Sequence, residues 1–402
     1  MQTEVQIQSL GHKGDGIADG PLYVPFALPG ETVSGEITEG RLENARIITP
    51  SEDRVKAPCR HFKTCGGCVL QHASDSLQAK WRIDHIETAL AQQGLNTKVK
   101  QLHVSPPASR RRAGFTARRT KSGAAICFNR MGSHDLVDLE SCAVLHPNIT
   151  SQFDLLRQIA RMAATRKAPA RLFVTASATG LDIAVSEARE ISATEIQQLG
   201  QLGSIARITW NDEIALQNEE PVILTDGIAL PYPSGAFLQA TGEGQSAMVD
   251  FVKAATTKHN QIADLFAGCG TFSLPLTRHA HVTAFESDRD MLSAAEKAWN
   301  RQTDLKPFQT QPRDLFRSPL QVSELKAFDA VVLDPPRAGA TAQVAEIAKS
   351  NLTKLVYVSC NPASFARDAK TLTDAGFSLF QIEAVDQFRW SPHIELMSVF
   401  TR

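Results

Sequence analysis

The second half of the chain alternates between short apolar runs and longer segments in which apolar residues recur at helical spacing. From about residue 227, strand-like runs that include QIADLFA, FDAVVLDPP and KLVYVSC are separated by helix-like segments. Strands that are apolar along most of their length are typical of a parallel sheet with helices on both faces. The pattern predicts a doubly wound α/β fold that ends in two strands paired antiparallel, because their connection is short.

Two other patterns precede this segment. Residues 1–54 contain short strand-like runs separated by the turn-rich sequence GHKGDGIADGP, which predicts a small β domain. Residues 55–226 mix strand-like runs with a helix predicted over 75–93, for which Asp75 or Ser76 is a suitable N-cap. We expect this helix to pack on the α/β segment despite its place in the sequence.

The overall charge excludes a uniformly basic coat for nucleic acid. The 402 residues include 42 Lys and Arg against 43 Asp and Glu, a net charge of −1. Basic residues nevertheless concentrate between 104 and 181, most densely from Arg110 to Arg130. Such a stretch is either a solvated face or a surface that binds a polyanion. No apolar run is long enough to cross a membrane and no secretory signal begins the chain, so we expect a cytoplasmic protein without a membrane partner.

Seven cysteines in a chain without a signal favour reduced thiols, a metal site or catalysis over a disulfide framework. The spacing of Cys59, Cys65 and Cys68, with two glycines between the last two, permits a tight chelating loop. A fourth ligand is required. Four thiolates suit either zinc or an iron–sulfur cluster, although the paired C-x2-C motifs of zinc ribbons are missing.

A glycine loop predicts a ligand crevice in the α/β segment. The sequence Asp264-Leu-Phe-Ala-Gly268-Cys-Gly270 lies between a buried strand and a helix predicted near 271–280, and the next strand ends at Glu286. Glycines at such a turn let the backbone approach a ligand, and an acid at the next strand end suits ribose hydroxyls. A dinucleotide fingerprint would need glycine or alanine where Ser273 stands. The combination is typical of S-adenosylmethionine binding, with a close-packed turn as the structural alternative.

Two later strand ends should share this crevice, because ligands bind at the carboxyl ends of parallel strands. One carries Asp334-Pro-Pro-Arg337 and the other Ser359-Cys360-Asn361-Pro362.

A cysteine beside a methyl donor suits the methylation of carbon 5 of a pyrimidine. A thiolate that adds to carbon 6 of the ring makes carbon 5 nucleophilic, and a base must afterwards remove the carbon-5 proton. Cys360 is a candidate nucleophile and Glu395 a candidate base. The structural alternative for Cys360 is a buried apolar thiol.

These motifs resemble the RNA 5-methyluridine methyltransferases, specifically the iron–sulfur branch that acts on 23S ribosomal RNA. DPPR followed by VSCNPxxxARD is the most specific part, and the resemblance covers nearly the whole chain. It implies that Cys360 is the nucleophile and Glu395 the base. It also implies cofactor-side positions for S-adenosylmethionine at Gln239, Phe266, Thr271, Glu286, Asp314 and Asp334.

The resemblance extends to the other two segments. GHKGDGIADG, FALPGE and PSEDR match landmarks of a TRAM domain, a small RNA-binding β barrel, within residues 1–54. Residues 55–226 then form a mixed α+β domain, and residues 227–402 a class I methyltransferase domain. Cys142 matches the fourth ligand of a [4Fe–4S] cluster held with the three cysteines above, whereas Cys127 and Cys269 match no ligand position and are assigned to core packing.

Departures from the family pattern leave the loop geometry and the exact target open. Thr271 stands where the family usually has Asn, and Arg389 where it has Pro. The resemblance implies an enzyme that flips a uridine out of folded RNA, with 23S ribosomal RNA as the expected target. We expect a monomer that does not bind DNA. The alternatives are a transfer-RNA enzyme with the same chemistry, a catalytically silent RNA-binding protein, and an amino-group methyltransferase that shares a D/N-P-P motif.

Overall fold

The first segment forms a six-stranded sheet around a small core. The structure, a computed structural model, describes residues 3–201, 203 and 205–402, so the first two residues of the predicted β domain lie outside the described part. Ile7, Val24, Val33 and Leu42 are buried at the centre of this sheet. Its strands, in the spatial order β1-β5-β6-β4-β3-β2, are β1 Thr3–Gln6, β2 Ser9–Leu10, β3 Gly16–Ala18, β4 Leu22–Val24, β5 Thr32–Thr38 and β6 Arg41–Thr49.

Helix α1 covers Asp75–Ala91 and packs on the last segment of the chain. The Ser74 hydroxyl accepts the N–H of Leu77 at 3.1 Å, so the N-cap is Ser74 and the prediction of Asp75 or Ser76 is wrong by one or two residues. Ile86 and Leu90 are buried in a core of the α/β segment, as expected. Strand β7, Gln101–Val104, follows this helix and also joins the last sheet.

The middle of the chain forms a seven-stranded sheet backed by three helices. Phe115, Ile159 and Leu172 lie in its core. The spatial order is β10-β9-β8-β11-β12-β13-β14, and the strands are β8 Arg112–Arg119, β9 Ala124–Asn129, β10 Leu136–Asp138, β11 Ala170–Ser177, β12 Gly180–Ser186, β13 Ile205–Trp210 and β14 Glu213–Gln217. The helices are α2 Pro147–Thr150, α3 Phe153–Ala163 and α4 Ala193–Leu199.

The last segment forms an eight-stranded sheet in the order β19-β18-β17-β20-β21-β23-β22-β7. The five strands from β19 to β21 are parallel, and the two C-terminal strands pair antiparallel as predicted. A hairpin, β15 Val222–Thr225 and β16 Ile228–Pro231, precedes the strands β17 Gln261–Leu265, β18 His281–Glu286, β19 Phe308–Pro312, β20 Ala330–Leu333, β21 Lys354–Ser359, β22 Ser378–Asp386 and β23 Glu395–Thr401.

Helices cover both faces of this sheet, which is the doubly wound arrangement predicted. Ile262 and Val332 face one core while Leu265 and Leu333 face the other, because side chains alternate along a strand. The helices are α5 Gly242–Thr256, α6 Ser273–Leu276, α7 Arg289–Asn300, α8 Val322–Leu325, α9 Thr341–Lys349 and α10 Pro362–Asp374, so the helix predicted near 271–280 is a single turn.

The strand order reverses between β17 and β20. From β17 the chain adds β18 and β19 on one side and returns to add β20 and β21 on the other. Loops that leave the carboxyl ends of strands at such a point diverge and open a crevice. The division at 54/55 and 226/227 stays a proposal. Within the described residues, no helix is long and apolar enough to cross a membrane.

Candidate active site

A cavity of about 490 Å³ opens at this reversal point, at the carboxyl ends of β17, β18, β20 and β21. All eight residues that the sequence analysis assigned to the crevice line it, although they come from seven separate stretches of the chain. These residues are Gln239, Phe266, Thr271, Glu286, Asp314, Asp334, Cys360 and Glu395.

Two glycines in the loop after β17 have a left-handed backbone conformation. Gly268 and Gly270 have φ values of 55° and 85°, and a Cβ on Gly270 would stand 3.0 Å from the Cβ of Ala295. Ser273, which departs from a dinucleotide fingerprint, donates its hydroxyl hydrogen to the buried Asp264 at 2.5 Å. Burial raises the pKa of Asp264 to about 7. The backbone thus passes close to the cavity wall while Asp264 supports the loop from beneath.

Two carboxylates mark the rim. Glu286 Oε2 accepts the N–H of Gly268 at 3.1 Å and its Oε1 accepts the N–H of Ser287 at 2.6 Å, so the side chain is fixed between two loops. Glu286 forms no ion pair with a basic residue in the described part of the chain, which leaves it able to accept hydrogen bonds from hydroxyl groups. Asp314 Oδ1 accepts the N–H of Phe316 at 3.0 Å.

Aromatic rings supply the apolar part of the cavity. The rings of Phe266 and Phe316 lie 5.2 Å apart between centroids, and Phe316 is half exposed. Phe237 is 63% exposed and lines the same cavity. Exposed aromatic rings around a cavity are typical of sites that stack on planar ligands such as nucleobases.

Cys360 and Glu395 stand at neighbouring strand ends. Ser359 on β21 pairs with Leu396 on β23, so Cys360 and Glu395 are the next positions of the two adjacent strands. Burial, followed by the charges of Glu395 and Asp334, raises the pKa of the Cys360 thiol to about 11. Burial and then Asp334 raise the pKa of Glu395 to about 8.

Asp334 is half-buried and lines the cavity, close to the buried acids Asp264 and Glu395. Burial and then the charge of Asp264 raise its pKa to about 7. Near neutral pH these carboxyl groups exchange protons readily, since their pKa values lie close to it. The arrangement therefore offers a thiol next to carboxyl groups that can take or give a proton.

The four cysteines assigned to a metal site line a second cavity, of about 210 Å³. They are Cys59, Cys65, Cys68 and Cys142, and Arg110 lines the same cavity. Burial raises the pKa of Cys68 to about 12 and also raises that of Cys65 and Cys142. Among the described residues, however, no group of three or more His, Cys, Asp or Glu side chains has the arrangement of a metal site.

The arginines at the start of the basic stretch are half-buried, whereas most of its later basic residues are exposed. Arg111 Nε donates to the carbonyl oxygen of Gln239 at 3.0 Å, and Arg112 donates to the carbonyl oxygens of Leu238 and Ala236. These two arginines therefore support the segment that carries Gln239, and the fully exposed basic residues lie in the later part of the stretch. Its exposed or half-exposed members are Arg118, Arg119, Lys121 and Arg130.

Sequence reasoning missed three residues around Glu395. Gln387 is buried and donates to Glu395, while Asp386 is buried beside Arg82 of α1 at 3.0 Å. Trp390 is buried with a φ of 64°, which is unusual for a bulky residue. No periodicity or motif in the chain marks these positions, because their partners come from segments about 150 or more than 300 residues away.

Comparisons with known proteins give a consistent result. A family model described as tRNA (uracil-5-)-methyltransferase matches residues 218–402. An uncharacterized RNA methyltransferase of Agrobacterium fabrum is 41% identical over 100% of both chains. The 23S rRNA (uracil(1939)-C(5))-methyltransferase of Shewanella amazonensis is 30% identical over 100% of this chain and 96% of its own.

One solved structure shares the fold over its full length. The tRNA (uracil-54, C5)-methyltransferase of Pyrococcus abyssi, in complex with S-adenosyl-L-homocysteine, superposes with a TM-score of 0.80 over 99% of each chain. Its sequence identity of 21% makes this a likeness of fold. That likeness includes a class I methyltransferase domain and a β-rich N-terminal region.

Proposed function

The chain belongs to the RNA (uracil-5-)-methyltransferase family, and on this premise we propose that it methylates carbon 5 of a uridine in 23S ribosomal RNA. The observation that carries the proposal is the crevice in which Cys360 and Glu395 stand at adjacent strand ends beside a cofactor-sized cavity. The choice of 23S RNA is supported by the Shewanella relative, which matches over nearly its full length.

S-adenosylmethionine bound in the crevice supplies an electrophilic methyl group. The residues proposed to hold it have complementary chemistry, since Glu286 offers carboxylate oxygens, Phe266 an apolar face and the loop at Gly268 a close backbone. Asp314 and Thr271 line the same wall. The full proposed set is Gln239, Phe266, Thr271, Glu286, Asp314 and Asp334.

Cys360 is the proposed nucleophile towards carbon 6 of the uracil ring. Because its pKa is raised, the thiol carries its proton at neutral pH and must pass it on before it can attack. Asp334, one of the two acidic groups whose charges raise this pKa, is the proposed acceptor of that proton, so Glu395 stays ionised for the last step. Addition breaks the C5–C6 double bond, forms the S–C6 bond and makes carbon 5 nucleophilic.

Glu395 is the proposed base for the last step. As a carboxylate it takes the proton from the methylated carbon 5, the C5–C6 double bond reforms, and the sulfur of Cys360 leaves as thiolate. Its burial keeps water away from the proton transfer and raises the pKa into the range of a useful base.

The second cavity is proposed to hold a [4Fe–4S] cluster. Four thiols on one cavity form a donor set that suits either a cluster or zinc. A cluster is larger than a single ion, so its ligands stand further apart. The cluster is proposed on the resemblance and on the four thiols that line one cavity, whereas the described residues contain no group arranged to hold a metal ion.

The six-stranded N-terminal sheet is proposed to be a TRAM-like RNA-binding barrel. The GHKGDGIADG and FALPGE motifs support this assignment, and the β-rich character of the segment agrees with it. The monomeric state and the cytoplasmic location stay predictions from the sequence.

Mapping the methylated atom and the methylated RNA tests the proposal. Ribosomal and transfer RNA from cells that lack the protein would be incubated with it and with S-adenosylmethionine labelled on the methyl group. We expect label on carbon 5 of a uridine in 23S RNA, located by mass spectrometry, and none with Cys360→Ala. Label confined to transfer RNA would show that transfer RNA is the substrate in place of 23S RNA. Label on an exocyclic amino group would overturn the proposed methylation of carbon 5.

A further inference from the structure

The side chain of Gln387 connects two residues of the crevice, and we propose that it is a positioning residue for both. It turns the NH2 group of Gln239 towards the bound ligands and holds the Glu395 carboxylate in the form that accepts a proton. The inference rests on the proposed role of Glu395 as the base and adds a residue that the C-terminal motif does not mark.

A backbone group determines the orientation of the Gln387 amide. Gln387 is 1% exposed, and its Oε1 accepts the N–H of Ala240 at 2.8 Å. Because a backbone N–H can only donate, the atom that faces it must be the amide oxygen. The NH2 group therefore points the other way, where it donates to Gln239 Oε1 at 2.7 Å and to Glu395 Oε1 at 3.2 Å.

The orientation of the Gln239 amide follows from the same contact. Its oxygen already accepts from Gln387, so the group that remains for the crevice is the NH2. The backbone of this residue is fixed too, since Arg111 Nε donates to its carbonyl oxygen at 3.0 Å. Gln239 is thereby prepared to donate to an acceptor oxygen, whether a carboxylate of the methyl donor or a carbonyl of the target ring.

Glu395 receives its side-chain hydrogen bond from Gln387. Within the described residues this is the one hydrogen bond to the Glu395 carboxylate, which is 4% exposed. Burial and the charge of Asp334 favour the protonated acid, whereas the N–H donated by Gln387 favours the carboxylate and opposes their effect on the pKa. A base must be ionised to act, so the hydrogen bond from Gln387 stabilises the form of Glu395 that can accept a proton.

Two substitutions separate positioning from packing. Gln387→Met keeps the volume and removes every hydrogen bond. Gln387→Glu keeps an oxygen for the Ala240 N–H but replaces the donor by a negatively charged acceptor. We expect both variants to release methylated RNA from the covalent adduct on the order of tenfold more slowly at pH 7, with the ascending limb of the pH–rate profile moved to higher pH. The effect should be larger for Gln387→Glu, and both should bind S-adenosyl-L-homocysteine less tightly in calorimetry.

The control is Gln78→Met, which removes a buried amide that donates to the Ala73 carbonyl oxygen at 2.9 Å in the N-terminal part of α1. It should leave the pH profile unchanged. If Gln387→Glu restores the wild-type profile while Gln387→Met does not, the residue only anchors Ala240 and the inference is wrong. If the wild-type protein places no methyl group on uracil carbon 5, it is the proposed function that fails, so the two failures are distinguishable.

Discussion

The backbone N–H of Val69 donates a 2.8 Å hydrogen bond to the carbonyl oxygen of Trp390, which also accepts the N–H of Leu70 at 3.1 Å. Val69 directly follows Cys68, and Trp390 lies in the loop that leads to Glu395. A buried tryptophan at a φ of 64° persists only where its surroundings hold it. The cysteine segment therefore supports the loop that carries the proposed base.

The first prediction concerns the fourth cysteine. Cys142→Ser should remove iron and sulfide together and lower the melting temperature, because the cavity joins segments that are far apart in the sequence. Anaerobic purification followed by iron, sulfide and zinc analysis measures this. Cys127→Ser, at a buried thiol outside that cavity, is the control and should keep the metal content. Stoichiometric zinc in a colourless wild-type protein would contradict the cluster.

The second prediction concerns the buried ion pair between Arg82 and Asp386. Arg82→Met should lower the free energy of unfolding by about 3–5 kcal/mol, because it leaves Asp386 charged and buried. Arg82→Met combined with Asp386→Asn should cost less than Arg82→Met alone. Asp75→Asn breaks a pair with Arg389 in which the carboxylate is exposed, and it should cost no more than about 1 kcal/mol. Denaturant unfolding measures all three, and equal losses would contradict the prediction.

The residues of the crevice could be predicted from the sequence because its motifs lie at the ends of strands. Asp334 and Cys360 each follow an apolar strand, and parallel strands bring their carboxyl ends to one edge. The contacts among the side chains behind the crevice could not be predicted in this way. Helical spacing in α1 indicated an apolar face, but nothing in it indicated that Arg82 on the same helix is buried against Asp386.

Charge counting could not show which basic residues are exposed. The density of basic residues from Arg110 to Arg130 indicated a solvated face or a polyanion-binding surface, but Arg111 and Arg112 are half-buried and donate to backbone carbonyl oxygens. The sequence shows how many charged residues lie in a stretch, but it does not show which of them form hydrogen bonds to backbone carbonyl oxygens. The remaining exposed charges are the part that can meet RNA.

The third prediction concerns these exposed charges. Arg118→Ala together with Lys121→Ala should weaken RNA binding and reduce the dependence of log K on log salt by about 0.7–0.9 for each phosphate group that the protein no longer neutralises. Binding to ribosomal RNA over a range of salt concentrations measures the slope. Lys258→Ala with Lys326→Ala, at exposed lysines outside the basic stretch, should leave it unchanged. An unchanged slope for the first pair would mean that this face is only solvated.

The fourth prediction concerns stability and pH. The pKa of Glu395 is raised to about 8 in the folded protein, so the folded state holds this proton more tightly than the unfolded chain does. Its contribution to stability is complete below about pH 4.5 and is lost as the pH rises through about 8. Glu395→Gln should therefore gain stability relative to the wild type between pH 6 and pH 9. Denaturant unfolding at both values measures this, with Asp250→Asn, at an exposed carboxyl, as the control. A stability difference that does not change with pH would contradict the prediction.

The last prediction separates the roles of Cys360 and Glu395 by the order of their steps. Thiol addition precedes methyl transfer and proton removal follows it, so Cys360→Ala should give neither product nor a covalent RNA–protein species. Glu395→Gln keeps the nucleophile and removes only the base, which typically slows a step on the order of 10²–10⁴-fold. The methylated adduct should then accumulate and resist denaturant on a gel.

RNA that carries 5-fluorouridine at the target should trap the wild-type enzyme at the same stage, because fluorine cannot leave as a proton. Normal turnover by Glu395→Gln would show that another residue is the base. His393, two residues before Glu395, is the nearest titratable side chain in the sequence. An adduct formed by Cys360→Ala would exclude this cysteine as the nucleophile. The two variants should therefore fail at different steps, because in the proposed mechanism the thiol acts before the methyl transfer and the carboxylate after it.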